Sequence, residues 1–386
     1  MKSTTKKITT NTRVIKDLLT KYRDTFQAFR ELINNSLQAE SKNIKINIEY
    51  VNEADIKSPI KSIEIVDDGF GVPFNEFDKR ILEIGTTSKV SGQGIGRFSS
   101  LQIGELMHIE TIGFDKTKKQ FSKTKFSMDT LDFNDAQLEE TEFKVDYEYL
   151  EGEHNPYYKV VIEQLHHNKQ EKLAKRNKLH EHFLSQNINQ AIFEHYPFEI
   201  FHNTVNFIIN GTALKREHFV VDKPSKKTID YVDKKGKTHE LNFYFYNINS
   251  TLNKVKVFFQ TDNAGLKSVA HEYTYSSDWY TSDLGTWFIY IESPMLNADL
   301  FRNLDLEALG EAEINNLKNT IKETINDFFK AKNKRFEKFL NSLENDKYYP
   351  YQNNEQPASK SQEVLFKKVA YLLEDEYQLI QKDDKI

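Results

Sequence analysis

The spacing of apolar side chains changes period within the first hundred residues. Across residues 16–40, Phe26, Phe29, Ile33 and Leu37 return every three or four positions, which predicts a helix with one apolar face. The chain then turns to strict alternation. Ile44, Ile46 and Ile48 in "NIKINIEY", and Ile63 and Ile65 in "SIEIVDDG", predict two half-buried strands, the second stopped by an Asp-Gly turn. "FDKRILEIG" and "FSSLQIG" read as short helices, and "ELMHIETIG", "KVDYEYL" and "YKVVIEQL" as strands. The mixture predicts an α/β layer with helices on one face of a sheet.

Beyond it lie a polar helical stretch over residues 168–195 and a strand with its turn in "NTVNFIINGTAL". The aromatic and β-branched runs "LNFYFYNI", "KVKVFFQT" and "TWFIYIES" predict a second set of strands. A long charged helix is expected over residues 307–345, where Ile314, Leu317, Ile321, Ile325, Phe328 and Phe329 form a stripe that must pack along a sheet. "KYYPYQNNEQPASKSQ" reads as a linker, followed by a last amphipathic helix from about residue 363. At 386 residues the chain exceeds what one core supports, so the partition expected is 1–215, 216–345 and 346–386.

Composition narrows the chemistry. The chain has no cysteine and its 11 histidines show no metal-ligand spacing, the adjacent His166 and His167 included, which argues against disulfide scaffolds and thiolate zinc sites. No segment approaches the roughly 20 apolar residues of a membrane helix, and "MKSTTKKITT" leads into no signal core, so a cytoplasmic protein without membrane contact is expected. The formal charge of −5 gives no global attraction for nucleic acid, and the basic clusters "KTKKQFSKTK" and "KLAKRNK" read as solvated faces.

One run carries candidate chemistry. "SGQGIGRFSS", residues 91–100, is a glycine-rich stretch of the kind that holds phosphates. It is not a P-loop, because Gly96 is followed by Arg97-Phe98 rather than Lys-Ser/Thr. No strand immediately precedes it, which also argues against the dinucleotide-binding turn. Around it stand three further elements in fixed order: "ELINNSLQA" on the first helix, "VDDGFGVP" at the end of the second strand, and "GTTSK" just ahead of the run.

That order resembles the GHKL superfamily of ATPases, which includes DNA gyrase, the ninety-kilodalton heat-shock chaperone, histidine kinases and MutL. The resemblance is strong over residues 16–113 and beyond that rests on layout. It implies an α+β fold: a Bergerat-type ATP-binding α/β sandwich, a second α/β transducer-like domain and a C-terminal helical segment. Glu31 and Asn35, four apart, share one side of their helix. The resemblance makes Glu31 the catalytic base that polarises water and Asn35 a Mg2+ ligand through its amide oxygen. Asn34 faces elsewhere and is expected to be structural.

Asp67 takes the position that accepts the adenine amine, with Gly69 and Gly71 allowing close backbone approach. Thr87 and Lys89 line the base or the phosphates. Gly92, Gly94, Ile95 and Gly96 form the lid, and Arg97 and Phe98 open a helix whose N–H groups face the phosphates. Arg302, in "NADLFRNLDLEAL", is the candidate γ-phosphate sensor.

Two features depart from the family. Gln38 stands where MutL and the heat-shock chaperone carry an aspartate, and Tyr157 and Tyr158 occupy the likely place of a Gly-Thr pair. Nucleotide binding is expected to survive these changes, with slow hydrolysis. The first histidine is His108, which argues against a self-contained histidine kinase. The resemblance then implies an ATP- and Mg2+-dependent conformational clamp, a homodimer when ATP is bound, acting on DNA or an effector protein in a setting such as bacterial defence. The alternatives are a heat-shock-type remodelling ATPase and a nucleotide-sensing scaffold with negligible turnover.

Overall fold

The computed structural model describes residues 1–7, 24–52, 59–82, 96–129, 142–166, 179–249, 255–263, 266–273, 285–296, 312–346, 349–351 and part of 362–373. The chain divides into two compact units: Met1–Phe219 with Asp262–Ser268, and Val220–Thr261 with Val269–Ile386.

In the first unit helix α1 spans Thr25–Gln38. Asp24 has extended backbone (φ −153°, ψ 172°) and its carboxylate accepts the Gln27 N–H at 2.8 Å, so it caps the helix. This corrects the helix expected from residue 16: the cap sets the start at Thr25, and residues 16–23 lie outside the described set. Phe26, Phe29, Leu32, Ile33 and Leu37 form the buried face.

The strands of this unit are β1 (Lys2–Lys7), β2 (Asn43–Tyr50), β3 (Ile60–Asp67), β4 (Gly104–Asp115), β5 (Gln120–Asp129), β6 (Glu142–Leu150), β7 (Tyr157–Leu165), β8 (Asn206–Ile209) and β9 (Thr212–Ala213). They form one sheet in the order β1-β6-β5-β4-β7-β3-β2-β8-β9. All neighbours are antiparallel except β2 and β8, which run parallel with Ile44 beside Phe207. The short helices α2 (Leu179–His182), α3 (Ile188–His195) and α4 (Pro197–Phe201) belong to the same unit.

Two of these strands give weak sequence signals. The segment read as a solvated basic cluster supplies β5, whose inward positions are Ser122, Thr124, Phe126 and Met128. With Ser and Thr at half of those positions the alternation is hard to see, and the lysines take the other face. "KSTTKK" in β1 has no apolar residue at all. It is held by its ladder with β6, by the Lys6–Asp78 ion pair at 2.6 Å, and by Lys6 lying over the Phe74 ring.

Ile44, Ile46 and Ile48 of β2 and Ile63 and Ile65 of β3 are buried, as their alternation predicts. The intervening positions form a charged lattice. Asn47 donates to Glu64, Glu64 pairs with Lys159, and Glu110 takes Lys123 at 3.2 Å, Lys125 at 3.0 Å and the Tyr157 hydroxyl. Such cross-strand pairs favour one register.

The five-stranded sheet has strands β10 (Ser225–Val232), β11 (Thr238–Ile248), β12 (Val255–Asn263), β13 (Leu266–Tyr273) and β14 (Thr286–Glu292) in the order β10-β11-β14-β12-β13. Strands β12 and β14 are parallel. The long helix α5 (Ala312–Glu344) lays Leu317, Ile321, Ile325 and Phe329 against Phe243, Phe245, Phe259, Trp287 and Ile289, and the Phe328 ring stacks on Phe245 at 3.7 Å. The apolar stripe read in the sequence is therefore the face that closes this core. Past the linker the chain folds back on α5. The Tyr371 ring meets Phe336 and Phe339, and Lys367 bridges Glu344 and Glu363, each at 2.6 Å.

Partial burial pushes the Glu110 carboxyl up, but the Tyr157 hydroxyl and the ammonium groups of Lys125 and Lys123 outweigh it and hold the pKa at about 2. A carboxylate depressed in the folded state stabilises the fold above its unfolded pKa, near 4.5, and loses that contribution as pH falls toward 2. Glu110→Gln is therefore expected to be less stable than the parent in urea at pH 7, with the gap closing by about pH 2. A gap that stays constant with pH contradicts this account.

Candidate functional site

The site is built where β3 ends beneath α1. Asp67 follows Ile63 and Ile65 in inward parity, so the strand delivers a carboxylate into the interior, 3% exposed. It is not left bare. Its Oδ2 accepts the Ser36 hydroxyl at 2.8 Å, and its Oδ1 accepts the Ser41 hydroxyl at 3.1 Å and the Gly69 N–H at 3.0 Å. Desolvation raises its pKa, opposed by those donors from Ser36, Gly69 and Ser41.

The neighbouring Asp68 meets the opposite fate. It faces the turn after α1 and takes the N–H groups of Lys42 and Asn43 and the Asn43 side chain. Burial works against its charge, but these donors more than offset it and its pKa falls. The two aspartates thus pin both the end of α1 and the start of β2 to the end of β3.

Glu31 and Asn35 lie one turn apart on α1, both half-buried, while Leu32, Ile33, Ser36 and Leu37 are buried around them. Since Ser36 bonds Asp67 directly, the helix turn carrying Asn35 stands over the Asp67 carboxylate. Asn34 points to another partner: its Oδ1 accepts the Tyr196 hydroxyl at 3.0 Å. Gln38 is exposed at the end of the helix.

The glycines of "DDGFG" answer to protein neighbours. A Cβ on Gly69 would stand 2.5 Å from the Ala39 carbonyl oxygen and 2.8 Å from the Ser41 hydroxyl. Gly71 has φ +59°, and a Cβ there would stand 1.9 Å from the Ile112 carbonyl oxygen. Across the ladder from Asp67 sits Tyr158, at the place where the resemblance led us to look for a Gly-Thr pair.

The glycine-rich run ends in a 3-10 helix, Gly96–Gln102, packed against α1. Phe98, Ser99, Ser100 and Leu101 of this turn are buried. Thr87, Lys89, Gly92, Gly94, Ile95 and Arg302 lie outside the described residues, as does the side chain of Arg97. Of the candidate residues, α1 thus carries Glu31 and Asn35, β3 and its exit carry Asp67, Gly69 and Gly71, and the turn holding Gly96 and Phe98 packs against α1. The residues missed by sequence reasoning are Ser36, Ser41 and Tyr196. Ser36 was legible in principle, as the position beside Asn35 whose helical phase turns toward the sheet. Ser41 and Tyr196 carried no local signal.

An acidic residue thus lies buried at a strand end beneath a helix bearing Glu and Asn, with a turn from the glycine-rich run packed against that helix in an α/β layer. Residues 22–155, about a third of the chain, match the family described as "Histidine kinase-, DNA gyrase B-, and HSP90-like ATPase". Over that stretch the chain is similar to GHKL-type ATPase domains. Among solved structures, it is similar to one titled "Crystal Structure of N terminal domain of a DNA repair protein", at 12% identity and a TM-score of 0.46, covering 83% of this chain and 98% of that one. No curated protein matches. No described helix is long and apolar enough to cross a membrane.

Gly71→Ala meets both a left-handed backbone and the Ile112 carbonyl, whereas Gly152, at φ +81° with nothing near its absent Cβ, meets only the first. Chemical denaturation is expected to show Gly71→Ala losing more than the roughly 1–3 kcal/mol of a strained residue and Gly152→Ala losing no more than that. Equal losses argue against the packing account.

Proposed function

We propose that the first unit binds and hydrolyses ATP and that the chain works as a nucleotide-driven clamp. The observation that carries the reading is the Ser36–Asp67 hydrogen bond, which holds a buried carboxylate under the helix turn bearing Asn35 and one turn from Glu31. Among the described residues Asp67 Oδ2 accepts one donor, and a carboxylate oxygen takes two. The spare position is where an adenine amine donates, and charge-assisted bonds of this kind are strong and directional.

Glu31 acts as general base. It takes a proton from a water whose oxygen forms a bond to the γ-phosphorus, while the bond from that phosphorus to the bridging oxygen breaks and leaves ADP. Asn35 suits Mg2+ bound mainly by phosphates and water, since that ion needs only one or two protein ligands and Asn35 is half-buried one turn from Glu31. When bound, the ion neutralises phosphate charge during transfer.

The lid residues Gly92, Gly94 and Ile95, with Thr87 and Lys89 beside them, close over the triphosphate in this reading. Tighter binding of ATP than of ADP to the closed state then supplies the switch. Two copies associate when ATP is bound, in the cytoplasm, and the dimer acts on DNA or on an effector protein.

Glu31→Ala is expected to keep ATP affinity while losing about 10²- to 10⁴-fold in hydrolysis. Asp67→Asn is expected to weaken ATP binding by roughly ten- to a hundred-fold in calorimetry, with the fold retained because the Ser36 and Ser41 hydroxyls can reverse their roles toward an amide. Parent-like affinity in Asp67→Asn removes the adenine assignment. DNA binding that is salt-sensitive and strengthened by a non-hydrolysable ATP analogue supports the DNA branch. Its absence, together with client-stimulated hydrolysis, favours a remodelling ATPase.

A further inference from the structure

Tyr196 lies between α3 and α4, more than 160 residues from α1 in sequence, and is fully buried. Its ring packs against Phe207 of β8 at 5.4 Å between centroids. Its hydroxyl reaches α1 at two points: the Arg30 carbonyl oxygen at 3.1 Å and the Asn34 Oδ1 at 3.0 Å. Burial pushes the phenol well above its ordinary pKa; Arg30 opposes this, while Glu199 and Glu31 add to it. Burial thus favours the protonated phenol, which can donate to these acceptors.

The two acceptors are not arbitrary. The Arg30 carbonyl and the Glu31 N–H belong to one rigid peptide plane, so a bond to that carbonyl restrains the backbone unit leading into Glu31. Asn34 likewise precedes Asn35. One hydroxyl proton, shared between these two acceptors, thus ties down the residue before the candidate base and the residue before the candidate Mg2+ ligand. It does so from the side of the helix away from Asp67, whose own grip is through Ser36. An Arg30 carbonyl in mid-helix already accepts a bond from its own helix, so the Tyr196 contact adds no obligatory satisfaction there. What it adds is rotational restraint on the turn.

We propose that Tyr196 is a positioning residue for ATP hydrolysis, clamping the Arg30–Asn35 turn so that Glu31 meets the attacking water in productive geometry. The proposal rests on the reading of Glu31 as general base. In the proposed reading nucleotide affinity rests on Asp67, which is bonded through Ser36 on the other side of α1, so the clamp acts on the chemical step and leaves affinity alone. Small displacements of a base relative to its water are costly in rate, which makes one buried hydroxyl sufficient.

The test compares the full-length chain with Tyr196→Phe, measuring single-turnover ATP hydrolysis and calorimetric ATP affinity, with thermal melting as the fold control. The expected result is a chemical step slowed by about ten-fold at an ATP affinity within about two-fold of the parent and a retained cooperative melt. An unchanged rate overturns the proposal. So does a rate and affinity that fall together, since that is the mark of a role in general architecture. If Tyr196→Phe does not fold, Asn34→Ala leaves the ring in place and removes one of the two acceptors. A slower step at unchanged affinity then supports the clamp, and a parent-like step overturns it. Glu31→Ala run alongside separates the two readings: turnover retained in that variant removes the general-base assignment, whereas an inert Glu31→Ala beside a parent-like Tyr196→Phe removes only the clamp.

Discussion

A carboxylate cannot be taken out of water without donors to receive it. In the first unit Asp67 is such a group, and the donors it finds are the Ser36 and Ser41 hydroxyls at the end of α1 and the Gly69 N–H of its own strand exit, so the bonds tie these two pieces of chain together. Ser36 fixes the phase of α1, Ser41 fixes the turn after it, and Gly69 fixes the exit of β3. Gly69 must lack a side chain because that exit passes against Ala39 and Ser41. The glycine commonly read as making room for a ligand is thus required before any ligand arrives. The structure and the pocket share one set of bonds.

That sharing explains which parts of the fold the sequence discloses. Strands β2 and β3 announce themselves because their inward positions are all isoleucine until Asp67. The long helix α5 is equally plain, with Leu317, Ile321, Ile325 and Phe329 in one stripe against aromatic strands. Strand β5 is obscured because Ser122 and Thr124 occupy inward positions, and β1 because it is polar throughout and exists through its partner. In the second unit β10 carries lysines at an edge, a composition that protects the edge and hides the strand.

The candidate site divides in the same way. Glu31, Asn35 and Asp67 are legible because residue type, spacing and neighbouring motifs agree. Their supports are not. Tyr196 is a single aromatic residue in an unremarkable helical stretch, and only the closure of the sheet by β8 against β2 brings it to α1. The same limit applies to the start of α1, where the apolar period continues upstream but the Asp24 cap decides the boundary. Periodicity reports which faces are buried, whereas caps and long-range hydroxyls report where an element begins and how it is held.

The position of β8 has a consequence in time as well as in space. Strand β2 is complete at residue 50, yet its outer neighbour begins at residue 206, and the hydroxyl that grips Arg30 arrives at residue 196. Contacts of such sequence separation form slowly, because a long loop must close before they repay its entropy. On a ribosome α1 would be made early and held by its own cap and by Asp67 for most of the synthesis of the unit. Its contact with Tyr196 would come only as the last strands emerge, so the candidate site is held from both sides late in the synthesis of the unit.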